Sequence, residues 1–220
     1  MPWPVERHRE DAAAFHGRPL PDPVRRAVWV CEPTTPALVL GSAQRDDVVD
    51  RAACTAAGVD VVRRRSGGGA VLVEPGSLLW VDVLIPADDP LSDHDIGRAF
   101  LWLGVVWAQA LADVGVIASV HPGPLIRSPW SDLVCFAGLG PGELTDPAGR
   151  KVLGISQRRN RAGARFQCAV LGAWEPATLA SLLALTPDER SAAASALAQA
   201  AVGIGERVRA LLPAFLDRLP

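Results

Sequence analysis

Residues 78–85 read Leu-Leu-Trp-Val-Asp-Val-Leu-Ile and are stopped by Pro86. A run this short and apolar, closed by a residue that cannot continue a ladder, predicts a strand buried on both faces near the centre of a sheet. The one carboxylate in it, Asp82, must be paired or reach solvent, which makes it a structural or a ligand-contacting residue. Shorter β-like runs lie at 27–31, 37–40, 59–63 and 70–73, and further strands are predicted at 133–137, 143–145, 151–158 and 165–171. Helices are predicted at 46–57, at 93–114 and beyond the capping box of Thr186 and Glu189, with a last one near 206–217. In the second of these, Ile96, Phe100, Leu103, Trp107, Ala110 and Val114 form a core-facing stripe. Strands and helices mix without regular βαβ alternation, so the class is α+β with a largely antiparallel sheet. The first 26 residues, rich in proline, read as an N-terminal arm. Residues 27–220 read as a single domain with C-terminal helices and no accessory domain.

Net charge is −2 over 220 residues of which 49% are apolar, which argues against a generally basic nucleic-acid binder. The arginine clusters at 63–65 and 158–161 lack interleaved aromatics. No apolar run approaches the roughly 18 residues of a membrane span. Cys31, Cys54, Cys135 and Cys168 form no CxxC pair, and the start of the chain is charged rather than signal-like, so the expected compartment is the cytoplasm with free thiols. His8, His16, His94 and His121 have no metal-ligand spacing, and no metal site is expected.

Of the 22 basic residues, 21 are arginine, and Lys151 is the only lysine. In a chain rich in Ala, Arg, Gly and Pro, whose composition points to GC-rich codons, a lysine kept as lysine is a candidate for a specific role. It opens a strand, Lys151-Val152-Leu153-Gly154-Ile155-Ser156, and alternation places Lys151 with Leu153 and Ile155, opposite Val152, Gly154 and Ser156. A compact ammonium in an apolar cleft needs an anion or a polarised carbonyl beside it, and a planar guanidinium is a poor substitute. The bland alternative is a surface lysine at a strand end.

Two other segments carry chemistry. Arg63-Arg64-Arg65-Ser66-Gly67-Gly68-Gly69-Ala70-Val71 joins one strand to the next through a stretch without side-chain bulk, so a ligand can lie on the backbone N–H groups with guanidiniums beside it. It is neither a Walker loop nor a dinucleotide fingerprint, since a strand follows it. A tight hairpin with a solvated basic flank fits the same residues. Cys135 stands one predicted strand before the lysine. As a nucleophile it needs a base or a lowered pKa, and no histidine is near it in sequence.

The glycine loop, followed about eighty residues later by Gly149-Arg150-Lys151-Val152-Leu153-Gly154-Ile155-Ser156-Gln157, resembles the lipoate–protein ligase and octanoyltransferase family. The resemblance spans roughly 27–172. It implies the fold shared with biotin ligases and class II aminoacyl-tRNA synthetases, a mixed and mainly antiparallel sheet backed by helices. It implies that Arg63, Arg64, Ser66, Gly67, Gly68, Gly69, Ala70, Gly154 and Ser156 line the ligand site, and that Lys151 holds the carbonyl or phosphate oxygen of the activated acid. Cys135-Phe136 matches the Cys-Phe pair that one acyltransferase branch uses. The chain departs from the family pattern at Leu72-Val73-Glu74 and at Phe166-Gln167-Cys168-Ala169, where many members carry histidines.

The first expectation is therefore an ATP-dependent ligase, with magnesium accompanying the ATP. It would activate lipoate or a related medium-chain acid such as octanoate as the acyl-adenylate and transfer it to a lysine of a lipoyl-carrier domain. The alternatives are an octanoyl-type acyltransferase working through a Cys135 thioester, and a non-catalytic relative that binds an acyl or nucleotide ligand.

Overall fold

The computed structural model describes residues 3–220. In chain order it contains β1 (Val5–Glu10), α1 (Ala12–Gly17), β2 (Ala27–Pro33), β3 (Ala37–Leu40), α2 (Arg51–Ala56), β4 (Asp60–Arg63) and β5 (Val71–Val73). There follow β6 (Leu78–Pro86), α3 (Leu101–Asp113), β7 (Ser119–Val120), β8 (Leu144–Thr145), β9 (Lys151–Arg159) and β10 (Gly163–Leu171), and then α4 (Pro176–Ser181), α5 (Pro187–Ala200) and α6 (Val208–Arg218). A seven-stranded sheet runs β1-β2-β6-β10-β9-β8-β7, and a small one runs β4-β3-β5. All pairs in the large sheet are antiparallel except β1 with β2. The expected mixed, mainly antiparallel sheet backed by helices is borne out, with the 78–85 run at its interior between β2 and β10.

Period-two alternation sorts the large sheet into two faces. Ile155, Cys168, Val81 and Val30 stand side by side across β9, β10, β6 and β2, and they pack into a core with Leu103, Trp107 and Leu111 of α3 and Leu211 and Phe215 of α6. On the opposite face the rows are Gly154-Ala169-Trp80-Cys31 and Ser156-Gln167-Asp82-Trp29. This second face is covered by the small sheet and by α1. A groove opens where the covered row is short of side-chain bulk, at Gly154 and Ala169.

Three expectations need correction. Order does not begin at Ala27: the arm contains β1, an edge strand paired with β2, and α1, whose Ala12 and Phe15 are buried, capped by Asp11 accepting from the Ala14 N–H. Helix α3 begins at Leu101 rather than at 93, after a short 3-10 turn. Here Asp93 and Asp95 accept from nearby backbone N–H groups, holding the segment in turns, and Ile96 is left exposed. The segment 133–137 is not a strand. Val134 bridges Ala70, and Cys135–Ala137 then forms one 3-10 turn.

Candidate active site

The glycine loop is held from within. The buried guanidinium of Arg64 donates to the carbonyls of Gly67 (2.7 Å) and Gly69 (2.8 Å), with a longer bond to Val39. Gly68 has φ +93°, a conformation that disfavours a Cβ. A Cβ at Gly69 would stand 2.5 Å from the Val134 nitrogen, so the loop lies against the Cys135 segment. The Ala70 N–H donates to Leu133 and the Cys135 N–H to Ala70, tying the two segments together. The carbonyls of Gly67 and Gly69 are thus occupied, while the N–H groups of Gly67, Gly68 and Gly69 have no partner among the described residues.

Lys151 is buried at 3% exposure. Its Nζ lies 2.6 Å from Glu143 Oε2 and donates to the carbonyls of Cys135 (3.2 Å) and Gly138 (3.0 Å), above the ring of Phe136. Glu143 is fixed in turn, its carboxylate accepting from the N–H groups of Gly140 and Ile155. Three ammonium protons therefore meet three acceptors. The 3-10 turn aims both carbonyls at one point, which a continuous strand would not do.

The alternation predicted for β9 fails at its first residue. Two steps along β9, from Leu153 to Lys151, oppose one step along β8, from Leu144 to Thr145, which is a β-bulge. Val152 and Leu153 both enter the core behind the sheet. Lys151 comes to the face of Gly154 instead, where a Cβ on the glycine would be 3.5 Å from Lys151 Cε.

Two cavities meet here. A narrow one of about 60 Å³ lies between the sheets, walled by Val39, Val71, Val73, Leu78, Trp80 and Ala169, with Cys135, Arg64 and Ser156 also on its lining. A wider cleft of about 590 Å³ is lined by Gly67, Gly68, Gly69, Arg45, Arg127 and Lys151. The half-buried Cys135 lines both. Ser156 does too, but its hydroxyl is paired with that of Ser66 at 3.1 Å.

Of the predicted site residues, the fold brings Cys135, Lys151, Arg64, Gly67, Gly68, Gly69, Gly154 and Ser156 together. Arg63 lines neither cavity; it braces the start of the β3–α2 connection through the carbonyls of Gly41 and Gln44 and through Asp46. Ala70 and Ser66 stand behind the loop, contributing a backbone pair and a hydroxyl contact. Asp82 is structural: it is buried against Arg165, Nε to Oδ2 2.7 Å, and accepts from Trp80 Nε1 at 2.9 Å. Burial pushes its carboxyl up, and the guanidinium opposes this.

Sequence reasoning missed Glu143, which it treated only as a strand start, and His16, which reaches the site from the supposed arm. His16 is buried against Trp80, ring centroids 4.8 Å apart, with Gln167 Nε2 3.3 Å from its Nδ1. Burial, then the charges of Arg64 and Arg165, push its pKa down to about 3. No sequence signal marks it; the contact exists because β1 and α1 belong to the fold.

Residues 15–211 match the model of the lipoyl protein ligase A/B catalytic domain. The chain belongs to this family. The octanoyltransferase LipM of Carboxydothermus hydrogenoformans is 31% identical over 153 residues, covering 68% of this chain and 52% of LipM, so the match spans about half of that relative. The bipartite lipoate protein ligase of Thermoplasma acidophilum, solved in a study with its E2 lipoyl domain, superposes with TM-score 0.73 at 18% identity, covering 99% of this chain and 84% of that one. A lipoate-protein ligase A bound with ATP gives TM-score 0.61 at 16% identity, covering 99% and 95%. At these identities the likeness to the two ligases is one of fold. A non-catalytic relative loses ground as a reading, since the matching model is that of a catalytic domain.

Proposed function

We propose that this member of the family is a cysteine-dependent acyltransferase. Cys135 takes a medium-chain acyl group from a carrier thioester and passes it to the lysine amine of a lipoyl-carrier domain. The observation that carries this reading is the place of Cys135, the one thiol at the junction of an apolar cavity suited to an acyl chain and an open cleft suited to a carrier.

In the first step the Cys135 thiolate attacks the thioester carbonyl, the C–S bond to the carrier breaks, and the carrier leaves as a thiolate that takes a proton. In the second, the acceptor amine attacks the Cys135 thioester, an amide forms, the amine loses its proton and the Cys135 sulfur is released. Each step places charge on the carbonyl oxygen, and the unpartnered N–H groups of Gly67, Gly68 and Gly69 are the donors available to it. Lys151 fixes the Cys135 turn through two carbonyls and supplies positive charge; contact with the acyl oxygen requires it to give up one of its three acceptors.

An ATP-dependent ligase is the second reading, favoured by the size of the cleft and by Arg45 and Arg127 on its wall. Against it, both carboxylates lining the cleft are taken, Asp132 by Arg127 and Glu143 by Lys151, so neither is free for the magnesium that accompanies ATP. The free thiols fit work in the cytoplasm.

One experiment separates the two. Incubation with an acyl thioester is expected to leave a mass adduct on Cys135, absent in Cys135→Ser, with no acid-dependent exchange of pyrophosphate into ATP. Pyrophosphate exchange that survives Cys135→Ser would establish the ligase instead.

A further inference from the structure

Lys151 holds Cys135 from one side, by its carbonyl. The residues leading up to it, Asp132 and Leu133, are held by a side chain that the acyl-transfer steps leave unused. Gln44 stands in the turn after β3, half-buried on the wall of the wide cleft. Its amide donates to two consecutive carbonyls, Asp132 (3.1 Å) and Leu133 (3.0 Å), and its Oε1 accepts from the Gly41 N–H (2.9 Å). Both amide hydrogens are spent inside the protein, so Gln44 has none to offer a substrate.

The turn is fastened on its other side as well. Arg63 donates to the carbonyls of Gly41 (2.8 Å) and Gln44 (2.6 Å) and pairs with Asp46. The Ser42 N–H donates to the Ser66 carbonyl, and a Cβ at Gly41 would collide with the carbonyl oxygen of Gly68, so the turn lies directly on the glycine loop. The Leu133 carbonyl also accepts from the Ala70 N–H (2.8 Å) at the end of that loop. Its two lone pairs are thus both used. One oxygen joins the turn, through Gln44, to the loop, through Ala70, two residues ahead of the Cys135 thiol.

Acyl transfer makes demands on this junction. The reacting carbonyl must meet the Cys135 sulfur and the loop N–H groups at once, and a displacement of about 1 Å costs on the order of 10²-fold in rate. Resting on the acyltransferase reading, we propose that Gln44 is a positioning residue. Its amide clamps the start of the Cys135 segment to the turn that lies on the glycine loop, and so sets the sulfur against the N–H groups of Gly67, Gly68 and Gly69.

The test uses Gln44→Met, which keeps the length of the side chain and removes the clamp, and Gln44→Glu, which keeps the acceptor for Gly41 and removes both donors. In each, loading of Cys135 from the octanoyl thioester of a small thiol is expected to fall roughly ten- to a hundredfold at saturation. The half-saturating concentration is expected to stay within about twofold of the parent. Alkylation of Cys135 by iodoacetamide needs only the sulfur and is expected to change by less than about twofold. Parent-like loading in either variant overturns the inference. So does a fall in alkylation as large as the fall in loading, or new alkylation of the buried Cys31, Cys54 or Cys168, which marks general loosening. If the parent itself loads no thioester, it is the acyltransferase reading that falls, and the clamp is then read from hydrogen exchange. Faster exchange of the Ala70 and Cys135 N–H groups in Gln44→Met, with β6 and β10 unchanged, supports it, and equal exchange at those two groups overturns it.

Discussion

Lys151 Nζ and Glu143 Oε2 stand 2.6 Å apart, both side chains sealed from solvent, and the carbonyls of Cys135 and Gly138 take the other ammonium protons. Three acceptors around one compact donor leave no place for a planar fork. Lys151→Arg is therefore expected to lower the rate of acyl loading by about 10²-fold and to destabilise the chain by about 1–3 kcal/mol through overpacking. Full activity in this variant would falsify the site.

Removing the other partner strands a buried ammonium. Glu143→Ala is expected to cost about 3–5 kcal/mol, or on the order of 10 °C in melting temperature for a chain of this size. Glu143→Gln keeps an acceptor oxygen for only one of Gly140 and Ile155 and removes the charge, so it should lose less stability than Glu143→Ala and still lose activity. Thermal unfolding and loading rates measured together distinguish the two effects.

Cys135 is half-buried, and its hydrogen bonds to the described residues run through its backbone, not its sulfur. Cys135→Ser should melt within about 1 kcal/mol of the parent yet form no thioester and transfer no acyl group. Mass spectrometry after incubation with the donor checks the first outcome, and amide formation on a lipoyl-carrier domain checks the second.

The Asp82–Arg165 pair holds α1 over the narrow cavity. Arg165→Met removes the cation and its bonds to Phe15 and Arg18, leaving the buried Asp82 without its counter-charge, and is expected to cost about 3–5 kcal/mol. Hydrogen exchange should show faster opening at residues 12–17 than in the central strands. Equal protection of α1 in parent and variant would count against the link.

His16 makes stability depend on acid. Its pKa falls from an ordinary 6.5 to about 3 on folding, so between these values the unfolded chain binds a proton that the folded chain refuses. Stability from this group is intact above about pH 6.5 and declines as pH falls toward 3, by about 2 kcal/mol near pH 5. Denaturation curves of the parent and of His16→Phe from pH 7.5 to about pH 5 should converge or cross if this is right, and run parallel if it is not.

Much of the fold was legible because its strands are short apolar runs with marked ends. The 78–85 run, the turn before Lys151 and the capping box at Thr186 each carry their own local signal. The glycine loop and Lys151 were legible as a site because their residue types are unusual for what surrounds them. The rest depended on tertiary contacts. Nothing local says that Glu143 faces Lys151, that Arg64 folds back on its own loop, or that a proline-rich beginning supplies an edge strand and a buried imidazole. The 133–137 segment has the composition of a strand, but its Cys135 carbonyl, with that of Gly138 just beyond it, turns toward an ammonium supplied by another strand.

The bulge at Val152 gives this site a phase as well as a composition. Replacing Val152 with another aliphatic residue leaves Lys151 where it is, whereas regular pairing of 151–153 with the bulge removed and the length kept would swing the ammonium toward the oily side of the sheet, away from Cys135. Around Lys151, then, the irregular pairing is guarded more tightly than the identity of the aliphatic side chain. Libraries built on this chain should vary residue 152 only among aliphatic side chains and leave the bulged pairing of Lys151 with Thr145 in place.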